Sequence, residues 1–120
     1  MLPATARMRH RSQFRAALRE GTRAGRPLLS AHLLVRRGSD DPPLVGFIVS
    51  RAAGGAVVRN RVRRQLRHLA RRYLGSLPEG SLLVVRANSR TAAARQADLA
   101  AELDLVIGAL LRRQGKALSR

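Results

Sequence analysis

Gly54-Gly55-Ala56-Val57-Val58-Arg59-Asn60-Arg61-Val62-Arg63-Arg64-Gln65-Leu66-Arg67 is the stretch around which the rest of the chain can be arranged. Val58, Val62, Leu66, Leu69 and Tyr73 recur every three or four residues, so the spacing predicts an amphipathic helix over 57–74 with one apolar face turned to a core. Gly75 and Pro78 end it. The other face carries Arg59, Arg63, Arg67 and Arg71 in an i, i+4 ladder of like charges, with Arg64 between two rungs. Each such pair opposes the helix by about 0.2–0.5 kcal/mol, and three in succession by on the order of 1 kcal/mol. Arg59 and Arg61 add to the penalty in the first turn, where the helix dipole is already positive.

No acid relieves this face. Between Pro42 and Pro78 there is no Asp or Glu, whereas Arg51, Arg59, Arg61, Arg63, Arg64, Arg67, Arg71 and Arg72 all fall within that span. A solvated basic face is the ordinary explanation of a charge run, but the ladder and the acid-free span weigh against it here. Such a helix calls for an anion, and phosphate suits guanidinium forks, helix-start N–H groups and the dipole alike. Gly54 and Gly55 would let backbone approach that ligand closely. Asn60 falls in the middle of the arginine face, where an amide that both donates and accepts suits RNA sugars or base edges.

Upstream, Leu28 to Arg36 and Leu44 to Arg51 are β-like apolar runs separated by the turn-forming Gly38-Ser39-Asp40-Asp41-Pro42-Pro43, and they read as an antiparallel hairpin. Before them, Ser12 suits the N-cap of a short helix whose Phe14, Ala17 and Leu18 share a face and which Gly21 closes. Downstream, Ser81 to Ala87 is a third strand, and Leu99, Leu103, Val106, Ile107, Leu110 and Leu111 form the stripe of a last helix. The order α-β-β-α-β-α predicts an α+β fold with a small mixed sheet covered by helices, since a helix joining two strands of one sheet makes them parallel.

A chain of 120 residues fits one domain, expected over 1–120 with an ordered core of about 7–114 and frayed ends that include Gly115 to Arg120. The 24 basic residues, all arginine but Lys116, outweigh 7 acids to give +17, a balance that favours a polyanionic partner. There is no cysteine, which removes disulfides and thiolate metal sites. Leu28 to Val35 and Leu44 to Val49 are too short to cross a bilayer, and the charged Met1 to Arg11 lacks the apolar stretch of a secretory signal, so the cytoplasm is expected.

His10, His32 and His68 lack metal-ligand spacing, and no carboxylate–histidine arrangement suggests acid–base chemistry, so no catalytic or metal residue is expected. Asp98, Glu102 and Asp104 fit a solvated helix face better than a metal site. A ribosomal or general RNA-chaperone protein would also account for charge and size. A membrane-active amphipathic protein would need aromatic anchors that are almost lacking here.

The stretch 54–67, built around Arg59-Asn60-Arg61 and set between paired strands and a third strand, resembles the signature of the bacterial ribonuclease P protein family. The resemblance runs from about Leu2 to Leu111. It implies an accessory subunit of an endoribonuclease in which a catalytic RNA carries out magnesium-dependent phosphodiester hydrolysis. The protein binds that RNA and the 5′ leader of precursor tRNA, with Mg2+ held mainly by RNA, no membrane and no stable protein partner required. It implies a ribosomal S5 domain 2-like fold with a left-handed β-α-β crossover, against the general right-handed preference. Arg59, Asn60, Arg61, Arg63, Arg64 and Arg67 match the face toward the RNA subunit, to which the ladder adds Arg71. Phe14, Leu18, His32, Arg51 and Arg86 match a leader cleft between the first helix and the sheet. From pattern alone Phe14 suits the core better than a cleft, and only its family position brings the two level, while His32 suits either the cleft or the solvent surface. Leu18 and His32 stand where the family often has an aromatic and a tyrosine; Gly55 replaces a polar residue and Ala52 a lysine.

Overall fold

The strand Ser81–Ala87 (β4) is buried at every position but Arg86, and a strand covered on both faces belongs inside a sheet rather than at its rim. The computed structural model, which describes residues 2–118, puts it there. Thr22–Gly25 (β1), Leu29–Val35 (β2), β4 and Leu44–Val49 (β3) form one mixed sheet in the order β1-β2-β4-β3. β1 pairs antiparallel with β2, and β2 with β4, while β3 runs parallel to β4.

The expected hairpin between the two upstream runs is therefore not formed. β4 lies between them, and the six-residue Gly38–Pro43 segment carries the chain across rather than folding it back. The true hairpin joins β1 and β2 through a tight turn in which the Arg26 N–H donates to the Leu29 carbonyl at 2.7 Å. β1 adds one strand to the expected order.

Helix α1 (Arg11–Glu20) covers one face of the sheet, packing Ala17, Phe14 and Leu18 on Leu82, Val84 and Ile48. On the other face lie α2 (Ala56–Ala70) and α3 (Gln96–Leu118). There Val62, Leu66 and Leu69 of α2 and Leu99, Leu103, Val106, Ile107 and Leu110 of α3 meet Leu33, Val45, Val49, Leu83 and Val85. Each fully buried leucine contributes about 1.5–3 kcal/mol, which outweighs the cost of the arginine ladder and explains how α2 folds in spite of it. α1 is only ten residues long, and it leaves the Ser30, His32 and Arg86 part of its face uncovered.

Several boundaries differ from the sequence reading. α1 starts one residue before Ser12, with His10 at the cap position and no side-chain cap bond. α2 stops at Ala70 and tightens into a 3₁₀ turn, Arg71–Ser76, before Pro78. Leu2 and Ala6 are buried, and the Met8 N–H donates to the Val45 carbonyl on the β3 edge, so the N-terminal segment is packed rather than frayed. α3 continues past Gly115 to Leu118; Met1, Ser119 and Arg120 lie outside the described residues. The acids of α3 do more than face solvent: Glu102 Oε1 accepts from the N–H groups of Leu28 (2.8 Å) and Leu29 (3.3 Å), and Asp104 Oδ1 accepts from the Tyr73 hydroxyl at 3.0 Å. Carboxylates there accept from backbone N–H groups at the start of β2 and from the Tyr73 phenol.

Candidate nucleic-acid interface

Gly54 sets the entry of α2. Its φ of +147° disfavours L side chains, and a Cβ there would lie 2.9 Å from the Val58 Cβ. From this turn the arginines of α2 diverge. Asn60, Arg64 and Arg71 are exposed, and Asn60 Oδ1 accepts from Arg63 Nη1 at 2.9 Å, which fixes the amide on the basic face. Arg61 turns the other way and donates from Nη2 to the Ala92 carbonyl at 2.9 Å, tying α2 to the 3₁₀ turn Ser89–Ala93. Arg59 is half-buried, with a buried Nε that has no hydrogen-bond partner. The ion pairs among the described residues are Arg36–Asp41 (3.8 Å) and Arg95–Asp98 (3.2 Å), so no arginine of α2 is paired with a carboxylate.

Arg63 and Arg67 turn toward the β3 edge, where Arg7 joins them around a small recess that Phe14, Gly46 and Phe47 also line. Arg7 is held by donation from its Nε to the Leu2 carbonyl at 3.2 Å. Burial, and then the charges of Arg7 and Arg63, push the Arg67 pKa below its ordinary value. Three guanidiniums converging without an acid form a strong local field for an oxyanion. Arg7 stands outside the motif of residues 54–67, and nothing in its spacing along the chain ties it to α2. The alternation of apolar and charged residues over Ala6-Arg7-Met8-Arg9 was the available signal.

On the α1 side of the sheet two hollows meet at Ile48. The first, about 570 Å³, is lined by Phe14, Leu18, Phe47 and Ile48 and ringed by Arg11, Arg15, Arg19 and Arg63. Phe14 lies directly over Gly46, where an added Cβ would come within 2.4 Å of the ring. The second, about 510 Å³, has Ser30, His32 and Arg86 on its floor and Arg23, Arg26 and Ser50 at its sides. Of the residues matched to a cleft, the fold brings Phe14 and Leu18 to one hollow and His32 and Arg86 to the other. Arg51 is exposed and lines neither, although its neighbours Ser50 and Ala52 line the second. His32 is buried, and burial first, then Arg23 and Arg86, lower its pKa from the ordinary imidazole value. Arg63 lines the first hollow from α2, so the basic helix and the cleft form one continuous surface.

A family model described as Ribonuclease P matches residues 2–111. The chain belongs to the ribonuclease P protein family. It is 51% identical to the ribonuclease P protein component of Thermobifida fusca, over 100% of this chain and 86% of that one. It is 50% identical to that of Streptomyces griseus, over 92% of this chain and 96% of that one. Among solved structures, the fold resembles the ribonuclease P protein of Staphylococcus aureus, with a TM-score of 0.74 and 18% identity over 86% of this chain and 93% of that one. It also resembles the Thermotoga maritima ribonuclease P protein, with a TM-score of 0.69 and 24% identity over 88% and 96% of the two chains. Ribonuclease P proteins are subunits of an endoribonuclease holoenzyme, and RNA binding and tRNA processing follow from membership of the family. No helix among the described residues is long and apolar enough to cross a membrane.

Proposed function

We propose that the basic face of α2, with Arg59, Asn60, Arg63, Arg64 and Arg67, together with Arg71 at the start of the following turn, docks on the ribonuclease P RNA in the cytoplasm. In the same reading the two hollows receive the single-stranded 5′ leader of precursor tRNA. The observation that carries this is the set of α2 arginines left without a carboxylate partner. Phosphates would neutralise them, and the cations condensed on the RNA would be released in exchange. Arg61 contributes by fixing α2 to the Ser89–Ala93 turn, and Arg51 lies exposed between Ser50 and Ala52, which line the second hollow.

The division of labour follows from what the side chains can do. Phe14 and Phe47 line the first hollow, where aromatic side chains suit unstacked bases and the surrounding arginines suit the backbone between them. Among the described residues no group of three or more His, Asp or Glu side chains could hold a cation, and arginines line both hollows. That donor set does not fit Mg2+, which this reading assigns to RNA phosphates. The protein's part is to bind, orient the leader and lower the repulsion between two RNAs. Reconstitution with a bacterial ribonuclease P RNA and precursor tRNA at low magnesium tests the proposal. Stimulated cleavage at the mature 5′ end is expected, and an unstimulated or misplaced cut would reject it.

A further inference from the structure

Arg61 is the arginine of α2 that leaves the basic face. With 3.6 residues per turn it stands about 100° round the helix from Asn60, and its Nη2 donates at 2.9 Å to the carbonyl of Ala92, 31 residues further along the chain. A guanidinium bonded to a main-chain carbonyl fixes backbone rather than another side chain. What Arg61 holds is therefore the course of the 3₁₀ turn Ser89–Ala93.

That turn is continuous with a wall of the second hollow. Asn88 caps it: Asn88 Oδ1 accepts from the Arg90 N–H at 2.9 Å, and the Asn88 carbonyl accepts from the buried Thr91 hydroxyl at 2.7 Å. Asn88 also grips the β1–β2 turn, where its Nδ2 donates to the Pro27 carbonyl and its backbone N–H donates to the Leu28 carbonyl at 3.1 Å. Glu102 holds the same segment from α3 through the Leu28 and Leu29 N–H groups. Arg26, Leu28, Asn88 and Ser89 all line the second hollow. Ser50 lines it too; its N–H donates to the Ala87 carbonyl at 2.9 Å, and from it the chain runs through the turn Arg51–Ala53 into α2. The helix is thus joined to this hollow at two places, at its entry through Ser50 and in its second turn through Arg61.

We propose that Arg61 is a positioning residue that registers the wall of the second hollow against the RNA on which α2 docks, and is not itself a phosphate ligand. The inference rests on the assignment of α2 to the catalytic RNA and of the hollow to the leader, and adds to them the connection between the two. An RNA-bound α2 is held in place; Arg61 passes that place to Ser89–Ala93, and Asn88 passes it on to the turn that carries Arg26. Without the guanidinium the 3₁₀ turn keeps its Asn88 cap but loses its fixed place relative to α2.

The test uses the holoenzyme reconstituted with ribonuclease P RNA and makes two measurements: the slope of log affinity for that RNA against log salt, and the ratio of affinities for precursor and mature tRNA. Arg61→Gln should keep the slope, which Arg64→Gln lowers by about 1, and should lower the ratio about threefold, as for loss of one exposed hydrogen bond. Arg61→Lys, which can still donate to the Ala92 carbonyl, should restore most of the ratio. Asn88→Ala should lower the ratio as well, and adding Arg61→Gln to it should lower it no further, because the two act in series. A slope reduced by about 1 in Arg61→Gln, an unchanged ratio, or independent losses in the double variant would each overturn the positioning role alone. A ratio near one in the unaltered protein would overturn the leader assignment beneath it, and a flat salt response the docking of α2.

Discussion

Replacing Gly46 by alanine tests the packing that shapes the first hollow. The new Cβ would lie 2.4 Å from Phe14 Cε1, 2.5 Å from Cζ and 3.2 Å from the Met8 Cβ. Carbon atoms settle at about 3.5–4.0 Å, so the ring must retreat by roughly 1 Å or more. It can do so only outward, because Gly46 and Met8 are buried beneath it while Phe14 is partly exposed. Overpacking of this kind costs about 1–3 kcal/mol, and the open side of Phe14 puts the expected value near 1 kcal/mol. Urea unfolding of Gly46→Ala should show a lower midpoint with an unchanged slope, together with a weaker preference of the holoenzyme for precursor over mature tRNA. In a Phe14→Ala background the same substitution should cost almost nothing, since the two sites share one contact. An undiminished midpoint in the single variant, or full additivity in the double one, would refute the placement of the ring.

Two further outcomes follow from the α3 carboxylates. Tyr73 is the sole tyrosine and there is no tryptophan, so phenolate absorbance reports it alone; burial first, then its hydrogen bond to Asp104, push its pKa up to about 12. The neutral phenol stabilises the fold below about pH 10, that contribution is lost as pH rises through 12, and Asp104→Asn should bring the titration downward. Glu102→Ala should lower stability by about 2 kcal/mol by unfolding titration, since a charged acceptor shared by two backbone N–H groups is removed; unaltered stability would mean that water replaces it without loss.

The parts of the fold that were legible in the sequence are those with strong periodicity. Val62, Leu66 and Leu69 announce the buried face of α2, and the arginines fall opposite because the helix has no other place for them. The pairing of the strands was not read correctly, although a signal existed. Ser81–Ala87 is apolar almost without alternation, which requires cover on both faces and so a central position, whereas proximity in sequence suggested a β2–β3 pair. β1 has no signal of its own: Thr22-Arg23-Ala24-Gly25 is a strand only because β2 offers it partners. Arg23 was missed with it, and Arg7 with the N-terminal segment. Both depend on contacts between distant residues, which spacing along the chain cannot reveal.

The salt dependence of binding to the catalytic RNA bears most directly on the claim that α2 is a phosphate-facing helix. With about 6–10 phosphates engaged, affinity should fall by roughly 10³–10⁵ between 50 and 200 mM salt. Arg64→Gln and Arg71→Gln should each reduce the slope of log affinity against log salt by about 1. A flat response in the unaltered protein, or the same slope in both variants, would contradict it.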